Sequence, residues 1–347
     1  MARPGDVILL SDGTYQGGVV VPRDREGITI RGVDRNGVVF DGDDVRPSAL
    51  VIRADQVTLE NFTAHNFTAD AIQWVHVTGF VGRFITVWNV GGYGFYSVAS
   101  RGGRLDHDLA SGTGNAAFYV GECDPCRSVL SHVVARLSAI GFSGTNASGG
   151  LVVRDSLWDR NGTGILPNSF NEEAHPPQQR AMFAHNTVVA SGTVATPATD
   201  PLAGFSGLGV GIAGGQRDVV TGNVVTGSAR YGIALFPTLQ RGGAVWKPAG
   251  NAVRRNTVRG SGTADLALSA GAGTANCFSA NRFSSSLPGN IERRFQCGRT
   301  RNQDGVGDLS VARDLAVSTP VAYARSGPHP PYRRMPPPGP QPSMPGA

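Results

Sequence analysis

Short runs of apolar and β-branched residues alternate with turn residues from the start of this chain. The first runs cover residues 7–10, 18–21, 27–32 and 37–42, and glycine or aspartate separates them. Runs of this length between such residues are typical of β-strands joined by tight turns. Because no long stretch repeats its apolar residues with a helical period, the pattern predicts an all-β chain. The 48 glycines among 347 residues agree with a chain that turns often.

One apolar position recurs along the chain with a regular spacing, and a second, mostly polar position follows it. The first position is occupied by Phe95, Phe118, Phe142, Ile165, Val210, Ile233 and Leu266. The second is occupied by Asp108, His132, Asp155, Asn186, Asn223 and Asn256. Asn223 lies 13 residues after Val210 and 10 before Ile233, so one repeat has 23 residues. This period predicts a solenoid of about ten coils, each with three strands, stacked about 4.8 Å apart.

Stacking places each side chain above its counterpart in the neighbouring coil. The apolar column is therefore expected inside the solenoid, and the asparagines are expected to form an internal hydrogen-bonded ladder. Asp108, His132 and Asp155 share the ladder column in this count. Together with Asp106 and His107 they suggest a catalytic relay, but we interpret them as structural substitutes for asparagine.

The opening segment resembles a known family. Pro4-Gly5-Asp6-Val7-Ile8-Leu9, followed by Asp12-Gly13-Thr14-Tyr15, is similar to the start of right-handed parallel β-helix repeat proteins of the pectate-lyase-like superfamily. The resemblance implies a right-handed parallel β-helix. A short helix usually caps this end in the family, whereas this chain begins almost on its first strand. We therefore expect the natural N-terminus, with its cap and export signal, to precede the printed sequence.

The catalytic signatures of the superfamily are missing from this sequence. Tyr93-Gly94-Phe95 is followed by Tyr96-Ser97-Val98, where alginate epimerases of this fold carry Asp-Pro-His. The motifs of polygalacturonases and pectate lyases are also absent. No residue can be carried over from those enzymes as catalytic.

The repeat count also predicts the domain organisation. Residues 1–300 are expected to form a single β-helix domain, residues 301–325 a C-terminal extension and residues 326–347 a disordered, proline-rich tail. Three departures from the period indicate insertions at about 168–180, 193–207 and 237–250. All three flank the strands of the Gly-Ile-x-Leu type. Insertions in solenoids collect on the functional face, so we expect a ligand site on the outer face of that sheet.

Candidate ligand-binding side chains lie along this face and in its insertions. We assign substrate binding to Gln73, Tyr96, Tyr119, Glu122, Asn168, Asn171, Trp246 and Lys247. Exposed tyrosines beside carboxylates suit a sugar, although ordinary surface tyrosines remain the alternative. Glu172, Glu173 and His175 are candidates for acid–base or cation-binding groups, with a solvated loop as the alternative. No cofactor or resident metal is expected, and calcium is the one ion that these carboxylates suggest.

Four cysteines form two local pairs, Cys123 with Cys126 and Cys277 with Cys297. Three pairings are open, and the local pairing is the natural one. Two disulfides imply an oxidising compartment, so we expect a secreted or cell-surface protein.

Charge and hydropathy exclude some partners. The net charge is +5, but no basic helix or RNA-binding signature accompanies it, so no nucleic-acid partner is expected. The chain contains no run of eighteen apolar residues, so no membrane span is expected. We expect a monomer.

Two functions fit these features. The first is an extracytoplasmic protein that acts on a polysaccharide, acidic ones included, as a lyase or hydrolase. The alternative is a non-catalytic β-helix that binds a glycan or cell-envelope polymer. A third idea, a component of metal-centre assembly, is disfavoured because the four methionines are not clustered.

Overall fold

A computed structural model describes residues 2–197, 202–298, 306–316 and 334–346. Within these residues the strands form three long parallel sheets, which the chain visits in turn before starting the next coil. The sheets contain 11, 10 and 11 strands, which confirms the predicted all-β parallel β-helix of about ten coils.

Sheet 1 contains β1 (Val7–Leu10), β4 (Thr29–Gly32), β7 (Thr58–Glu60), β10 (Val81–Arg83), β13 (Arg104–Asp106), β16 (Val129–Ser131), β19 (Val152–Arg154), β22 (Met182–Ala184), β25 (Val219–Thr221), β30 (Ala252–Arg254) and β33 (Cys277–Ser279). Sheet 2 contains β2 (Gly13–Tyr15), β5 (Val38–Asp41), β8 (Thr63–Phe67), β11 (Thr86–Val90), β14 (Leu109–Thr113), β17 (Val134–Arg136), β20 (Leu157–Asp159), β23 (Thr187–Val189), β26 (Val224–Thr226) and β31 (Thr257–Arg259). Sheet 3 contains β3 (Val19–Val21), β6 (Leu50–Ile52), β9 (Ile72–Val75), β12 (Phe95–Val98), β15 (Ala116–Gly121), β18 (Ile140–Thr145), β21 (Thr163–Asn168), β24 (Leu208–Ala213), β27 (Tyr231–Phe236), β32 (Ala264–Leu268) and β34 (Ser286–Leu287).

The remaining elements are small. An antiparallel pair, β28 (Thr238–Leu239) and β29 (Val245–Trp246), lies in the third insertion, and a 3₁₀ turn covers Leu202–Phe205. Two short helices, α1 (Ile291–Arg294) and α2 (Leu309–Asp314), follow the last coils. No helix in the described ranges is long and apolar enough to cross a membrane.

The predicted apolar column is confirmed in register. Its members pair from strand to strand of sheet 3, from Phe95 to Leu266, and all are fully buried. The rings of Phe95 and Phe118 stack with centroids 4.8 Å apart and planes within 6°. A buried aromatic pair contributes about 0.5–1.5 kcal/mol beyond the free energy of burying its area. Like-on-like stacking inside the coil thus stabilises the register that produced it.

The asparagine ladder is also present, and it is longer than predicted. The side-chain amide of Asn186 donates to Asn223 Oδ1 (3.0 Å), and that of Asn223 donates to Asn256 Oδ1 (2.9 Å). Asn256 continues to Asn281 (2.9 Å), which donates to Glu292 Oε1 of α1 (2.8 Å). The carboxylate ends the row because it only accepts hydrogen bonds.

The ladder assignment is correct for Asp108 and wrong for His132 and Asp155. Asp108 is buried, and its Oδ1 accepts from the Ile85 amide at 2.8 Å. In the next coils the column is occupied by Val133 and by Ser156, whose hydroxyl accepts from the Val133 amide at 3.1 Å. His132 and Asp155 lie one residue earlier, with left-handed φ angles of 55° and 50°. Their side chains therefore leave the coil at its corner instead of entering it.

A second internal ladder went unnoticed in the sequence. Gln178 Nε2 donates to Asp218 Oδ1 (2.9 Å), and the Asp218 amide donates to Asn251 Oδ1 (2.8 Å). Asn251 Nδ2 donates to Asn276 Oδ1 (2.9 Å). Asp218 thus occupies a ladder position that asparagine, as Asn251 and Asn276, fills in the next two coils.

The two local disulfides are present, Cys123–Cys126 in a turn and Cys277–Cys297 at the last coil. The second bond joins β33 to the segment after α1, where Ile291 and Phe295 are buried against the core. The end of the apolar column is therefore covered.

The C-terminal tail differs from the expected disordered segment in the part that the structure describes. Residues 334–346 lie against the N-terminal coils, whereas 299–305 and 317–333 fall outside the described residues. The buried guanidinium of Arg35 donates to Ile85 O (2.8 Å), Thr86 Oγ1 (2.9 Å) and Pro342 O of the tail (3.1 Å). The Met344 amide donates to Asn61 Oδ1 (2.7 Å). A buried charge needs such acceptors, and no sequence pattern reveals them.

Replacing Asp218 with asparagine should stabilise the protein at high pH. Burial raises the pKa of Asp218 to about 7, against two hydrogen bonds that lower it. Between about pH 4, the ordinary aspartate pKa, and about pH 7, Asp218 is protonated in the folded state and ionised in the unfolded state. The free energy of unfolding therefore falls as the pH rises from about 4 to about 7. We expect Asp218→Asn to raise Tm by about 2 °C or more at pH 8 and to match wild type at pH 4.

Thermal unfolding at a series of pH values measures this difference. The exposed residue Asp43, with φ 53°, provides a control as Asp43→Asn. A Tm gap for Asp218→Asn that does not grow between pH 4 and pH 8 would contradict the assignment.

Candidate functional site

Three tyrosines form one cluster on the outer face of sheet 3. Tyr96 and Tyr119 are register partners on β12 and β15, as the outward column predicts. Their ring centroids lie 4.9 Å apart, and Tyr93 packs 4.7 Å from Tyr96 and 4.9 Å from Tyr119. Tyr93 and Tyr96 are half-buried. The prediction of an exposed Tyr119 is wrong, because its side chain is completely buried.

The first insertion covers Tyr119. It follows β21 and folds back over the preceding coils, where the Tyr119 hydroxyl donates to Glu173 Oε2 at 2.9 Å. Asn146 Nδ2 donates to the carbonyls of Phe170 (2.7 Å) and Glu173 (3.1 Å) and holds the loop down. Glu122, at the end of β15, accepts from the Ala174 amide at 3.3 Å. The insertion therefore brings a carboxylate onto the aromatic cluster from a later coil.

Burial and nearby carboxylates determine the protonation of Tyr119. Desolvation, followed by the charge of Glu173 and by Tyr96, Tyr93 and Glu122, raises its pKa well above the ordinary value. The phenol therefore stays protonated at neutral pH and can donate a hydrogen bond but cannot act as a base. We name Tyr93, Tyr96, Tyr119, Glu122 and Glu173 the tyrosine patch.

Two of the three insertions are joined to each other. Trp246 Nε1 donates to the side-chain Oδ1 of Asn171 at 2.6 Å, and the backbone N–H of Asn171 donates to Gln240 Oε1 at 2.9 Å. Arg241 forms an ion pair with Glu172 at 3.3 Å. These contacts make a continuous wall of the first and third insertions. Asn171, Trp246 and Glu172 accordingly have structural partners within the protein.

The other predicted residues are distributed around this wall. Gln73 lies in the outward column next to Tyr96 and donates to Ser48 Oγ at 2.8 Å. Asn168 ends β21 and donates to Leu166 O at 3.2 Å. His175 and Lys247 are exposed. The structure thus brings Gln73, Glu122 and Glu173 close to the tyrosines, and leaves His175 and Lys247 on the loops.

The sheet face does not form an open groove along its whole length. In its C-terminal half the outward positions are apolar, and they form one buried cluster with Phe205 of the second insertion and with the α2 region. Its members include Leu166, Leu208, Tyr231, Ala234, Phe236, Ala267, Val311 and Leu315. Arg230 pairs with Asp314 at 2.9 Å and fixes α2 there. Residues 198–201 of the second insertion fall outside the described residues. Among the described residues, this cluster covers the outer face of sheet 3 in its C-terminal half, whereas Tyr96 lies in the N-terminal half.

Two members of this region were missed in the sequence. Tyr93 is the third ring of the cluster, and Asp70, one coil earlier, accepts from the Tyr93 amide at 2.9 Å. Burial raises the pKa of Asp70 to about 6. The separation of 23 residues between Asp70 and Tyr93 was a usable signal, because it places them in one column.

Removing the Tyr119 hydroxyl should loosen the first insertion. A hydrogen bond to a carboxylate contributes about 1.5–3 kcal/mol when buried, and somewhat less here because Glu173 is half-buried. We expect Tyr119→Phe to lower the local opening free energy of residues 169–178 by about 1 kcal/mol, which is about a fivefold faster amide exchange. Hydrogen exchange measured by mass spectrometry reports this.

The matched control is Tyr15→Phe, which also loses one hydroxyl bond, to Ser11 O (2.8 Å), far from the loop. Equal exchange of residues 169–178 in both variants would show that Glu173 does not depend on Tyr119.

No protein-family model matches the chain, and no curated protein sequence matches it. Solved structures do match. An alginate lyase from Paenibacillus sp. str. FPU-7 is 16% identical with a TM-score of 0.50, covering 74% of this chain and 89% of that one.

Two further structures are similar. A mannuronic acid-specific polysaccharide family 6 lyase from human gut microbiota is 12% identical with a TM-score of 0.50, covering 81% of this chain and 78% of that one. The A-module of the Azotobacter vinelandii mannuronan C-5 epimerase AlgE6 is 13% identical, with a TM-score of 0.49 and coverage of 81% and 88%. Together with the three parallel sheets, the first two of these structures identify the fold of this chain as a right-handed parallel β-helix.

Proposed function

We propose that this protein binds a polysaccharide outside the cytoplasm, and that the tyrosine patch is the binding site. One observation carries the proposal: an insertion places Glu173 on Tyr119, beside the half-buried rings of Tyr93 and Tyr96. The rings offer flat apolar faces to sugar C–H groups, and the carboxylates accept hydrogen bonds from sugar hydroxyls. An aromatic platform with a few fixed polar groups is how proteins hold a sugar.

The charge of the patch favours a neutral glycan. Glu122 and Glu173 both lie close enough to Tyr119 to raise its pKa by their charge. A uronate carboxylate about 5 Å from either would be repelled by roughly 1–3 kcal/mol at effective dielectric constants between those of water and a protein surface. The two solved structures with TM-scores of 0.50 are named for alginate and mannuronic acid, which supports the polysaccharide class. The local charge supports a neutral member of that class.

The disulfides support the extracytoplasmic location. Cys123–Cys126 and Cys277–Cys297 are both formed, and disulfides persist in oxidising compartments.

A second candidate function is hydrolysis at the same patch. It is favoured by the convergence of Glu122 and Glu173 and by Asp70, whose pKa of about 6 keeps part of it protonated near neutral pH. Glycoside hydrolases use a protonated and an ionised carboxyl group together. Tyr119 would position Glu173 in this scheme.

Truncating Tyr96 should weaken glycan binding. The Tyr96 ring is only partly buried, so a sugar can stack on it. Such stacking contributes about 1–2 kcal/mol or more to the binding free energy. We expect Tyr96→Ala to weaken binding of neutral polysaccharides by at least about tenfold in affinity electrophoresis or calorimetry. The control is Trp88→Ala, which removes an aromatic side chain stacked on His65 (4.4 Å) on sheet 2.

Binding that survives Tyr96→Ala, or that is lost equally in Trp88→Ala, would exclude the patch as the glycan site. Tighter binding of uronate polymers than of neutral ones would overturn the charge argument while leaving the site in place.

The hydrolase candidate has its own measurement. Incubating the bound polysaccharides at pH 5 to 8, with and without calcium, should release new reducing ends, and Glu173→Gln should suppress the release by at least about a hundredfold. If the protein binds a polysaccharide but releases no new reducing ends or unsaturated products, the hydrolase candidate is excluded and the protein is a non-catalytic binding protein.

A further inference from the structure

A cluster of one aspartate and two histidines lies away from the tyrosine patch. Asp106 ends β13 on sheet 1, His107 follows it, and His132 occupies the same corner position one coil later. His132 Nδ1 lies 3.0 Å from Asp106 Oδ1, and His107 Nδ1 lies 3.2 Å from Asp106 Oδ2. One ligand atom from each of the three side chains can be chosen so that all lie within 4.8 Å of one another. Neighbouring coils therefore deliver three metal-ligating atoms to one point.

The backbone explains why both rings leave the coil here. His107 and His132 have left-handed φ angles of 58° and 55°, which turn the chain at the corner between sheets 1 and 2. Both imidazoles consequently stand outside and are about half exposed. Their rings stack with centroids 4.8 Å apart, which is the spacing of the coils.

Neighbouring side chains orient this set. Phe84, the corner residue of the preceding coil, stacks on His107 with centroids 4.8 Å apart and planes within 5°. The buried Ser131 hydroxyl donates to Asp106 Oδ1 at 2.9 Å. A carboxylate fixed by a second hydrogen bond is typical of a ligand whose direction is set by its surroundings.

One further charged side chain faces the carboxylate. Arg104 Nη2 lies 3.7 Å from Asp106 Oδ2 and, being largely exposed, can move aside. Asp106 therefore lies between two imidazoles, with one exposed cation beside it.

We propose that Asp106, His107 and His132 bind one divalent transition-metal ion of the zinc type. Imidazole nitrogen and carboxylate oxygen are the ligands that zinc takes in proteins, at about 2.0–2.2 Å. Those bond lengths place ligand atoms about 3.4 Å apart around a tetrahedral ion. Here Asp106 Oδ1 lies 3.0 Å from His132 Nδ1 and Asp106 Oδ2 lies 3.2 Å from His107 Nδ1, while three ligand atoms, one from each side chain, lie within 4.8 Å of one another. Rotation of the half-exposed rings supplies the remaining adjustment.

The ion would link two successive coils. Asp106 and His107 belong to one coil and His132 to the next, so three protein ligands are present and the fourth position stays open to solvent. This site differs from the sequence-based interpretation of His132 as a ladder residue and from the expectation of no resident metal. It lies at the corner of sheets 1 and 2, so it is independent of the glycan proposal on sheet 3.

Calorimetric titration with zinc chloride tests the site. The protein should be the full chain without a histidine tag and treated with chelator, because a tag binds the same ions. We expect one saturable site per chain at pH 7.5. The affinity should be at least about tenfold lower at pH 5.5, since only the unprotonated imidazole ligates a metal. Saturating zinc should raise Tm by roughly 2 °C or more, and calcium should do neither.

Variants at the corner identify the ligands. His132→Asn and Asp106→Asn should each weaken zinc binding at least about tenfold, since even second-shell changes cost tenfold to a hundredfold. Asparagine tolerates the left-handed φ, so His132→Asn should fold. The matched control is His185→Asn. His185 has φ 56° at the same corner two coils later, where Ala184 stands in place of the aspartate.

The electron paramagnetic resonance spectrum of bound Cu²⁺ gives a second readout, and we expect nitrogen hyperfine structure that is reduced in His132→Asn. The proposal is overturned if wild-type protein shows no one-to-one zinc binding at pH 7.5. It is also overturned if His185→Asn weakens binding as much as His132→Asn does, because zinc would then bind scattered surface histidines.

Discussion

Parallel stacking of one coil directly on the next is the constraint on which the rest of this structure depends. Every side chain must be compatible with the residue at the same position one coil above and one coil below. Inside, this produces rows of one kind, such as the stacked rings of Phe95 and Phe118 and the amide row from Asn186 to Asn281. The strands of the three sheets are hydrogen-bonded between coils, so the interior rows and the sheets stabilise the same register.

The same constraint generates chemistry on the outside. Residues separated by about one repeat in sequence come within contact distance, and this is how Tyr96 meets Tyr119 and how His107 meets His132. Neither pair lies close in the sequence. The insertions add a second way of bringing groups together, since the loop after β21 reaches back to an earlier coil and places Glu173 on Tyr119. Candidate sites in this protein are therefore either rows along the stack or contacts made by loops across it.

The interior was predictable from the sequence because it repeats. The 23-residue spacing placed all seven apolar residues of the inward column correctly, from Phe95 to Leu266. The corners were less predictable. The connection from sheet 3 to sheet 1 is two residues longer after β15 and one residue longer after β18 than after β12, so the ladder position falls on Val133 and Ser156 instead of His132 and Asp155. A count of residues shows that a repeat is longer, but it does not show where in the coil the extra residue lies. The burial of Tyr119 was hidden for another reason, because it depends on where a loop without any repeat comes to rest. The buried Arg35 and its tail acceptors are separated by about 300 positions and share no pattern.

The contacts of the C-terminal tail affect how the protein unfolds. A stack of repeats ordinarily frays from either end, because a terminal coil has a neighbour on one side only and opening there costs the least. In this protein the segment 334–346, which comes last along the chain, is hydrogen-bonded to Arg35, Asn36 and Asn61 of the first coils. Opening the coils that contain Arg35 and Asn61 must therefore also break the contacts of segment 334–346. This segment stabilises the part of the stack to which it is bound, so fraying there costs more free energy than the strand contacts alone would require.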